Sequence, residues 1–418
     1  MRVLLYTEYP NSFLSLHINF YQTTMKRIFL GILACVCIAS CCQGEQVTLF
    51  PASDFETVVD GKNVSLYTLK NGDLTMQVTN FGGRVVSLWT PDKDGDYEDI
   101  VLGYNNIDSY LNNPGERFLG AVVGPYANRI ADGTYTIGEE TYNFPQNNNG
   151  QTLHGGLKGL DMVVWDVASV TDSSIVLAYL HADGQDGHPG NLDIRMTYTL
   201  TKANEFKVDY LAQTDKATHV NISHHSFFNL KGEGNGTIND HMLYINASAT
   251  TPVDALLIPT GEIADVTGTP FDFREIKAIG RDLGVENEQL ANGAGYDHNW
   301  VLDRVSESDL ELAAAVLEPA SGRYMEVWTD QPALQFYGGN FFDGSTCGKY
   351  GRTLNYRESI ALETQKYPDS PHHPHFPGTL LNPGETYTHT CVYKFGNDEL
   401  ATALAILVSG FSAESDAK

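Results

Sequence analysis

Hydrophobic and polar residues alternate over several short stretches of this chain, the period of a strand with one buried face. Tyr67-Thr-Leu69-Lys, then Asn71-Gly72, then Leu74-Thr-Met76-Gln-Val78 reads as two strands around a tight hairpin turn. Ile194-Arg-Met196-Thr-Tyr198-Thr-Leu200 alternates in the same way. Past residues 201–205 the pattern resumes as Phe206-Lys-Val208-Asp-Tyr210, a second predicted hairpin. Gly and Pro punctuate the chain at short spacing, as in Gly184-Gln-Asp-Gly-His-Pro-Gly190 and Asn382-Pro-Gly384. Segments with a sustained helical period are scarce. Residues 305–315 contain helix formers, yet fit equally a loop followed by a strand. No repeat or low-complexity linker divides residues 45–395, so the pattern predicts an all-β fold in one large antiparallel domain.

Composition narrows the partners more than the fold. The 418 residues would suit two or three average domains, but all-β domains often exceed that average. Hydrophobic residues make up 42% and aromatics 11%, ample for a sizeable core. Against 26 Lys and Arg stand 52 Asp and Glu, a net charge of -26. A phosphate backbone needs a basic surface, so no nucleic-acid partner is expected.

Cysteine usage points to the N-terminus. Cys35, Cys37, Cys41 and Cys42 crowd one segment, and only Cys347 and Cys391 lie in the body, so neither a disulfide framework nor a metal spacing is present. The segment from Met25-Lys-Arg through an apolar run to Ser40-Cys41 has the build of a secretory leader, too short for a permanent membrane span. Ile38-Ala39-Ser40-Cys41 resembles a bacterial lipobox, which would make residues 25–42 a signal peptide and Cys41 a lipidated N-terminus. Residues 1–24 would then be an upstream extension from a mis-called start. The expected location is the periplasm or a membrane, held there by the lipid alone.

Candidate chemistry is spread over five places. Gly124-Pro-Tyr-Ala-Asn128-Arg129-Ile130 offers an amide and a guanidinium after an apolar stretch. Thr152-Leu-His154-Gly-Gly156 sets a histidine against two glycines, where backbone can approach a ligand closely. Asn221-Ile-Ser-His-His225 ends a strand-like run with two histidines. Leu362-Glu363-Thr364-Gln365 places a carboxylate in an apolar run, where a solvated Glu has little reason to sit. Tyr296-Asp297-His298 and Gln335-Phe-Tyr337 add polar groups beside rings, a combination that suits a sugar's hydroxyls and C–H faces. A histidine and a carboxylate in one cleft make an acid and a base that work near neutral pH.

Taken in order, Asn128-Arg-Ile130, Leu153-His-Gly-Gly156, His225-Ser-Phe-Phe-Asn-Leu230, Asp297-His-Asn299, Gln335-Phe-Tyr337 and Leu362-Glu-Thr-Gln365 followed by Pro368-Asp369 resemble the aldose 1-epimerases, the galactose mutarotases. The resemblance covers roughly residues 45–395. It implies a β-supersandwich with an open cleft, and interconversion of the α and β anomers of free hexoses such as galactose and glucose. Glu363 matches the family's general base, His225 its general acid and His154 a second histidine near the ring oxygen. Asn128, Arg129, Asp297 and Gln335 match residues that hold hydroxyls. Strand side chains alternate in direction, so His224 and His225 cannot both serve; the motif selects His225 and leaves His224 outward or structural. Asp297 is a candidate for the charge that would raise the His225 pKa.

The implied chemistry needs no cofactor or metal. Loop carboxylates could hold a structural Ca²⁺, but no Asp-x-Asp-x-Asp-Gly-like loop supports one. Pro371-His-His-Pro-His375 looks like a metal cluster, yet reads as cleft rim with no carboxylate to complete a site. A monomer acting on a monosaccharide is expected. The rival readings are a non-catalytic carbohydrate-binding module, a glycosidase using Asp297 and Glu363, and a hexose-6-phosphate epimerase. The first has no need for both His225 and Glu363, the second would release reducing sugar from a glycoside, and the third wants a basic pocket. Residues 396–418 extend past the family's usual end and carry no functional reading.

Overall fold

The computed structural model describes residues 47–112 and 115–397, all within the unit Val47–Lys418. The proposed leader, Cys41 and the tail beyond Asn397 lie outside the described residues. Strands dominate, and the α-helices among the described residues, Ile107–Asn112 and Glu288–Asn292, are short. No helix among the described residues is long and apolar enough to cross a membrane.

Three sheets build the frame. The largest has nine strands, with Leu192–Leu200, Glu205–Thr214, Tyr387–Gly396 and Tyr324–Thr329 side by side at its centre. A five-stranded sheet runs Ala264–Asp265, Ala247–Thr251, Asp297–Leu302, Ala333–Tyr337, Ala361–Gln365. A four-stranded sheet holds Leu66–Asn71, Leu74–Thr79, Arg84–Pro91 and Tyr97–Asp99. Their ladders are antiparallel. One apolar core joins all three: Met76 and Val78 meet Met196, Tyr198 and Val208, together with Trp300, Phe336 and Leu362. Sheets sharing a core face to face define the β-supersandwich.

Both hairpins expected from alternation form, with one adjustment. Asn71 pairs with Leu74, so the first turn is Gly72-Asp73 and Gly72 takes φ +57. Alternation in Glu205–Thr214 buries Phe206, Val208, Tyr210 and Ala212 on the core face and leaves Leu211 and Gln213 exposed. Residues 305–310 are a loop and Glu311–Leu317 a strand, paired with Met242–Ile245 and Tyr324–Thr329. Pairing along both edges overrides the helix preference of its alanines.

A buried ion cluster ties the four-stranded sheet to distant loops. Lys349 Nζ donates to Asp99 Oδ2 at 2.5 Å and to the carbonyls of Val86 and Val101, and lies 3.3 Å from Glu233. Nothing in the sequence around Lys349 marks it as buried.

Candidate active site

Register on the five-stranded sheet gathers three of the expected residues. Asp297 lies opposite Tyr337, and Gln335 opposite Glu363. Because side chains alternate, these four share one face, while Phe336 and Leu362 turn into the core. Strand Ala361–Gln365 is thus buried on both sides, one by core and one by the cleft wall. That explains a Glu inside an apolar run.

His225 arrives from a separate ladder, Ser223–His225 against Ala121–Val123. Its Nε2 approaches a Glu363 carboxylate oxygen to 3.3 Å. Phe227 and Phe118 stack on the imidazole, with planes 30° and 26° from it, and fix its orientation.

The third ladder, Arg129–Ile130 against Thr152–Leu153, delivers Asn128, Arg129 and His154 together. Asn128 and His154 both lie in the left-handed region, at φ +62 and +52. Each bonds the other: Asn128 N–H donates to His154 Nδ1 and His154 N–H to the Asn128 carbonyl, both at 3.0 Å. Nδ1 therefore accepts, which assigns the hydrogen to Nε2. A Cβ on Gly155 would lie 1.9 Å from the Gly124 carbonyl oxygen, so glycine is required after this histidine. Asn128 Oδ1 accepts from the Arg129 N–H at 2.8 Å, and Arg129 Nε donates to Asn148 Oδ1 at 3.3 Å.

Six of the seven predicted residues line one cleft of about 430 Å³: Asn128, Arg129, His154, His225, Asp297 and Glu363. Gln335 stands behind it. Its Nε2 donates to Asp297 Oδ1 at 2.8 Å, so it holds the carboxylate rather than the cleft's contents.

Electrostatics inside the cleft differ from the expectation. Burial pushes the Glu363 carboxyl well above the usual range; the Asp297 charge adds to this and Arg129 opposes it. Burial pushes His225 down to about 3 and His154 well below its ordinary value. Asp297 was the expected source of a charge raising His225, but the carboxylate beside the ring is Glu363, and burial is the largest cause of the shift. Asp297 instead faces Arg129 and Gln335, which offset part of the rise that burial gives its own carboxyl. Burial thus drives the two partners in opposite directions, favouring a carboxylic acid beside a neutral imidazole.

His154, His225 and Glu363 place their donor atoms within 4.8 Å of one another, close enough to suggest a metal site. The tautomer argues against it. With Nδ1 taken by the Asn128 N–H, His154 turns an N–H toward the others, leaving two lone-pair donors where three are needed.

His224 is structural and buried, not outward: Tyr198 OH and Ser226 Oγ lie 3.2 and 2.6 Å from its ring nitrogens. The Pro371–His375 loop does not line the cleft. Buried Asp369 supplies a carboxylate after all, 2.7 Å from His372 and 3.4 Å from His373, and also accepts from the Ala131 N–H behind Arg129. Sequence reasoning missed Glu116, Arg117, Phe118, Leu257 and Phe341, all of which line the cleft, and the amide run Asn147-Asn148-Asn149. The amide run was the one visible signal among these.

The Aldose 1-epimerase family model matches residues 65–394. Galactose mutarotase from Bos taurus is 41% identical over 332 residues, spanning 79% of this chain and 94% of that protein. Aldose 1-epimerase from Escherichia coli K12 is 35% identical over 339 residues, 80% of this chain and 96% of its own. Among solved structures, a GalM/aldose epimerase homologue from C. elegans superposes with a TM-score of 0.74 at 30% identity, covering 80% of this chain and 99% of that one. Galactose 1-epimerase from Lactobacillus acidophilus NCFM gives 0.70 at 29% identity, over 81% and 96%. The chain belongs to the aldose 1-epimerase family, a family of isomerases on a galactose mutarotase-like fold.

Proposed function

We propose that this protein interconverts the α and β anomers of free hexoses, galactose and glucose among them, by acid–base opening and closure of the pyranose ring. Glu363 takes the proton of the C1 hydroxyl while His225 delivers one to the ring oxygen. The C1–O5 bond breaks and C1 becomes an aldehyde. Rotation about C1–C2 presents the other face, and closure returns each proton to its source. Opening converts carboxylate and imidazolium into carboxylic acid and imidazole, and closing reverses it. The pair's charge and proton count are equal in the two forms, so no exchange with solvent is needed. Burial favours the uncharged form, the partner of the open-chain sugar.

The 3.3 Å approach of His225 to Glu363 inside the cleft carries this reading. His154 offers its Nε2 hydrogen to a sugar oxygen, Asn128, Arg129 and Asp297 hold hydroxyls, and Gln335 positions Asp297. The scheme calls for no metal or cofactor. A phosphorylated hexose is the poorer fit: Glu116, Asp297 and Glu363 share the cleft, and Arg117 is already clamped by Asp161 at 2.7 and 2.8 Å. Polarimetry of freshly dissolved α-D-galactose and α-D-glucose, with wild type and Glu363→Gln in parallel, tests the function. Acceleration by the first and not the second supports it; sugar binding without acceleration would favour a carbohydrate-binding module.

Export is part of the same proposal and rests on the leader sequence alone. Lipidation at Cys41 would hold the enzyme at a membrane, acting as a monomer on sugars released outside the cytoplasm. Labelled fatty acid incorporated into wild type and absent from Cys41→Ala is the expected result. Cytosolic protein that still begins at Met1 would refute it.

A further inference from the structure

We propose that His389 is a positioning residue for the acid–base pair, holding the strand of Glu363 and the segment of His225 at working distance through one fixed imidazole tautomer. This rests on the anomer interconversion proposed above. That reaction needs a base at the C1 hydroxyl and an acid at the ring oxygen together, so its rate depends on how the two groups are spaced.

No shared ladder sets that spacing. Glu363 stands on the edge strand of the five-stranded sheet, while Ser223–His225 pairs with Ala121–Val123 in a separate one. Backbone joins the two segments at one end, where the N–H groups of Phe228 and Ile360 donate to each other's carbonyls at 2.7 and 2.8 Å. Beyond the contact between His225 and Glu363, side chains make the join. Ser223 Oγ donates to the Thr364 carbonyl at 2.9 Å, and Asn221 Oδ1 accepts from the Lys366 N–H at 2.9 Å.

Strand Tyr387–Gly396 ties this join to the frame. Ladders on both sides, with Glu205–Thr214 and Tyr324–Thr329, fix its backbone. Alternation buries Tyr387, His389 and Tyr393 on one face. The Tyr393 hydroxyl donates to the Leu362 carbonyl at 2.9 Å, and the Tyr387 hydroxyl accepts from the Ile222 N–H at 3.2 Å. Each of these tyrosines holds one segment through these bonds; His389, between them, holds both. Thr364 Oγ1 lies 2.8 Å from its Nε2, and the Ile222 carbonyl oxygen 3.0 Å from its Nδ1. A carbonyl can only accept, so Nδ1 carries the hydrogen and Nε2 accepts from the Thr364 hydroxyl. Thr364 adjoins Glu363 and points away from the cleft, and Ile222 lies three residues before His225. The ring is 1% exposed, where an unsatisfied nitrogen would be costly, and both nitrogens are satisfied. Burial also holds the imidazole below its ordinary value, which keeps it neutral and in this tautomer.

Polarimetry of fresh α-D-galactose tests the role. His389→Phe keeps an aromatic ring beside Tyr210 and removes both bonds. It should lower kcat about tenfold to a hundredfold while KM moves less than about twofold, because the groups that hold the hydroxyls are untouched. His389→Gln, whose amide offers one acceptor and a donor at similar spacing, should restore most of kcat. Thr364→Val removes the hydroxyl alone and should act as His389→Phe does, which keeps the test open if the latter fails to fold. Lys349→Met, away from the cleft, controls for lost stability and should keep the kcat of wild type. A kcat within about twofold of wild type in His389→Phe, or in Thr364→Val where His389→Phe does not fold, overturns the role. So does a loss that His389→Gln fails to restore, or one that Lys349→Met reproduces. Each of these leaves the hexose function standing. If wild type accelerates neither galactose nor glucose, the hexose function fails and the role falls with it.

Discussion

His225 Nε2 lies 3.3 Å from a Glu363 carboxylate oxygen, and burial drives the two groups in opposite directions, the imidazole down to about 3 and the carboxyl well up. Neither group keeps its ordinary affinity for a proton, and in the proposed reaction the two act together through the sugar's C1 hydroxyl and ring oxygen.

Joint action predicts strong non-additivity. Glu363→Gln and His225→Asn should each lower kcat about 10²- to 10⁴-fold. The double variant should lose little more than the worse single one, because either change disables the same shuttle. Polarimetric rates at saturating sugar check this; losses that multiply would mean the residues act independently.

Gln335 touches the cleft only through Asp297. Gln335→Leu should therefore weaken substrate binding more than it slows the chemistry. A hydrogen bond to a charged group is worth about 1.5–3 kcal/mol, which predicts a rise in KM of roughly tenfold to a hundredfold. A drop in kcat at constant KM would place Gln335 in the reaction itself.

Among the described residues, nine histidines (His154, His181, His188, His219, His224, His225, His241, His298 and His389) are held below their ordinary value, burial being the largest cause for each. Unfolded, these rings bind protons as pH falls through about 6.5. Folded, His181 and His219 wait until about 4, and His224 and His298 until about 3. The unfolded chain therefore binds more protons in this window, and stability falls as pH falls. Carboxylates raised by burial, Glu363, Asp297 and Glu233 among them, oppose the trend but are fewer. Calorimetry should show Tm dropping steadily from about pH 6.5 to about pH 4; a flat profile would mean the rings are not held neutral.

Lys349 should be a stability residue. Replacing it with Met strands the buried carboxylates of Asp99 and Glu233 without their cation. Breaking a buried pair in this way costs roughly 3–5 kcal/mol. Urea denaturation measures it, and a loss below about 1 kcal/mol would show that water reaches the cluster.

Much of the site was legible because its chemistry is written in short local runs. Asn128-Arg129, Leu153-His154-Gly155 and Leu362-Glu363 each carry their residue types in adjacent positions; alternation sets His224 and His225 on opposite faces, and the motif selects His225. Glu363 was conspicuous because an apolar run around a carboxylate implies burial. The hairpins at residues 66–79 and 192–214 were equally local, since each strand finds its partner across a short turn.

What remained hidden depends on pairing between distant segments. Register across three strands decides that Asp297, Gln335 and Glu363 share a face. Packing then decides that Gln335 stands behind Asp297, that Glu363 rather than Asp297 meets His225, and that Asp369 binds the histidines following it. The direction of each pKa shift was illegible for the same reason. A side chain's charge preference follows from how much protein surrounds it, and burial is set by every strand at once. Sequence by itself determined the strands, the reactive residue types and the family they belong to. Only tertiary structure decided which groups meet, which are buried and which, like Phe341, stay open at the lip, because contact and dielectric are properties of the assembled sheets.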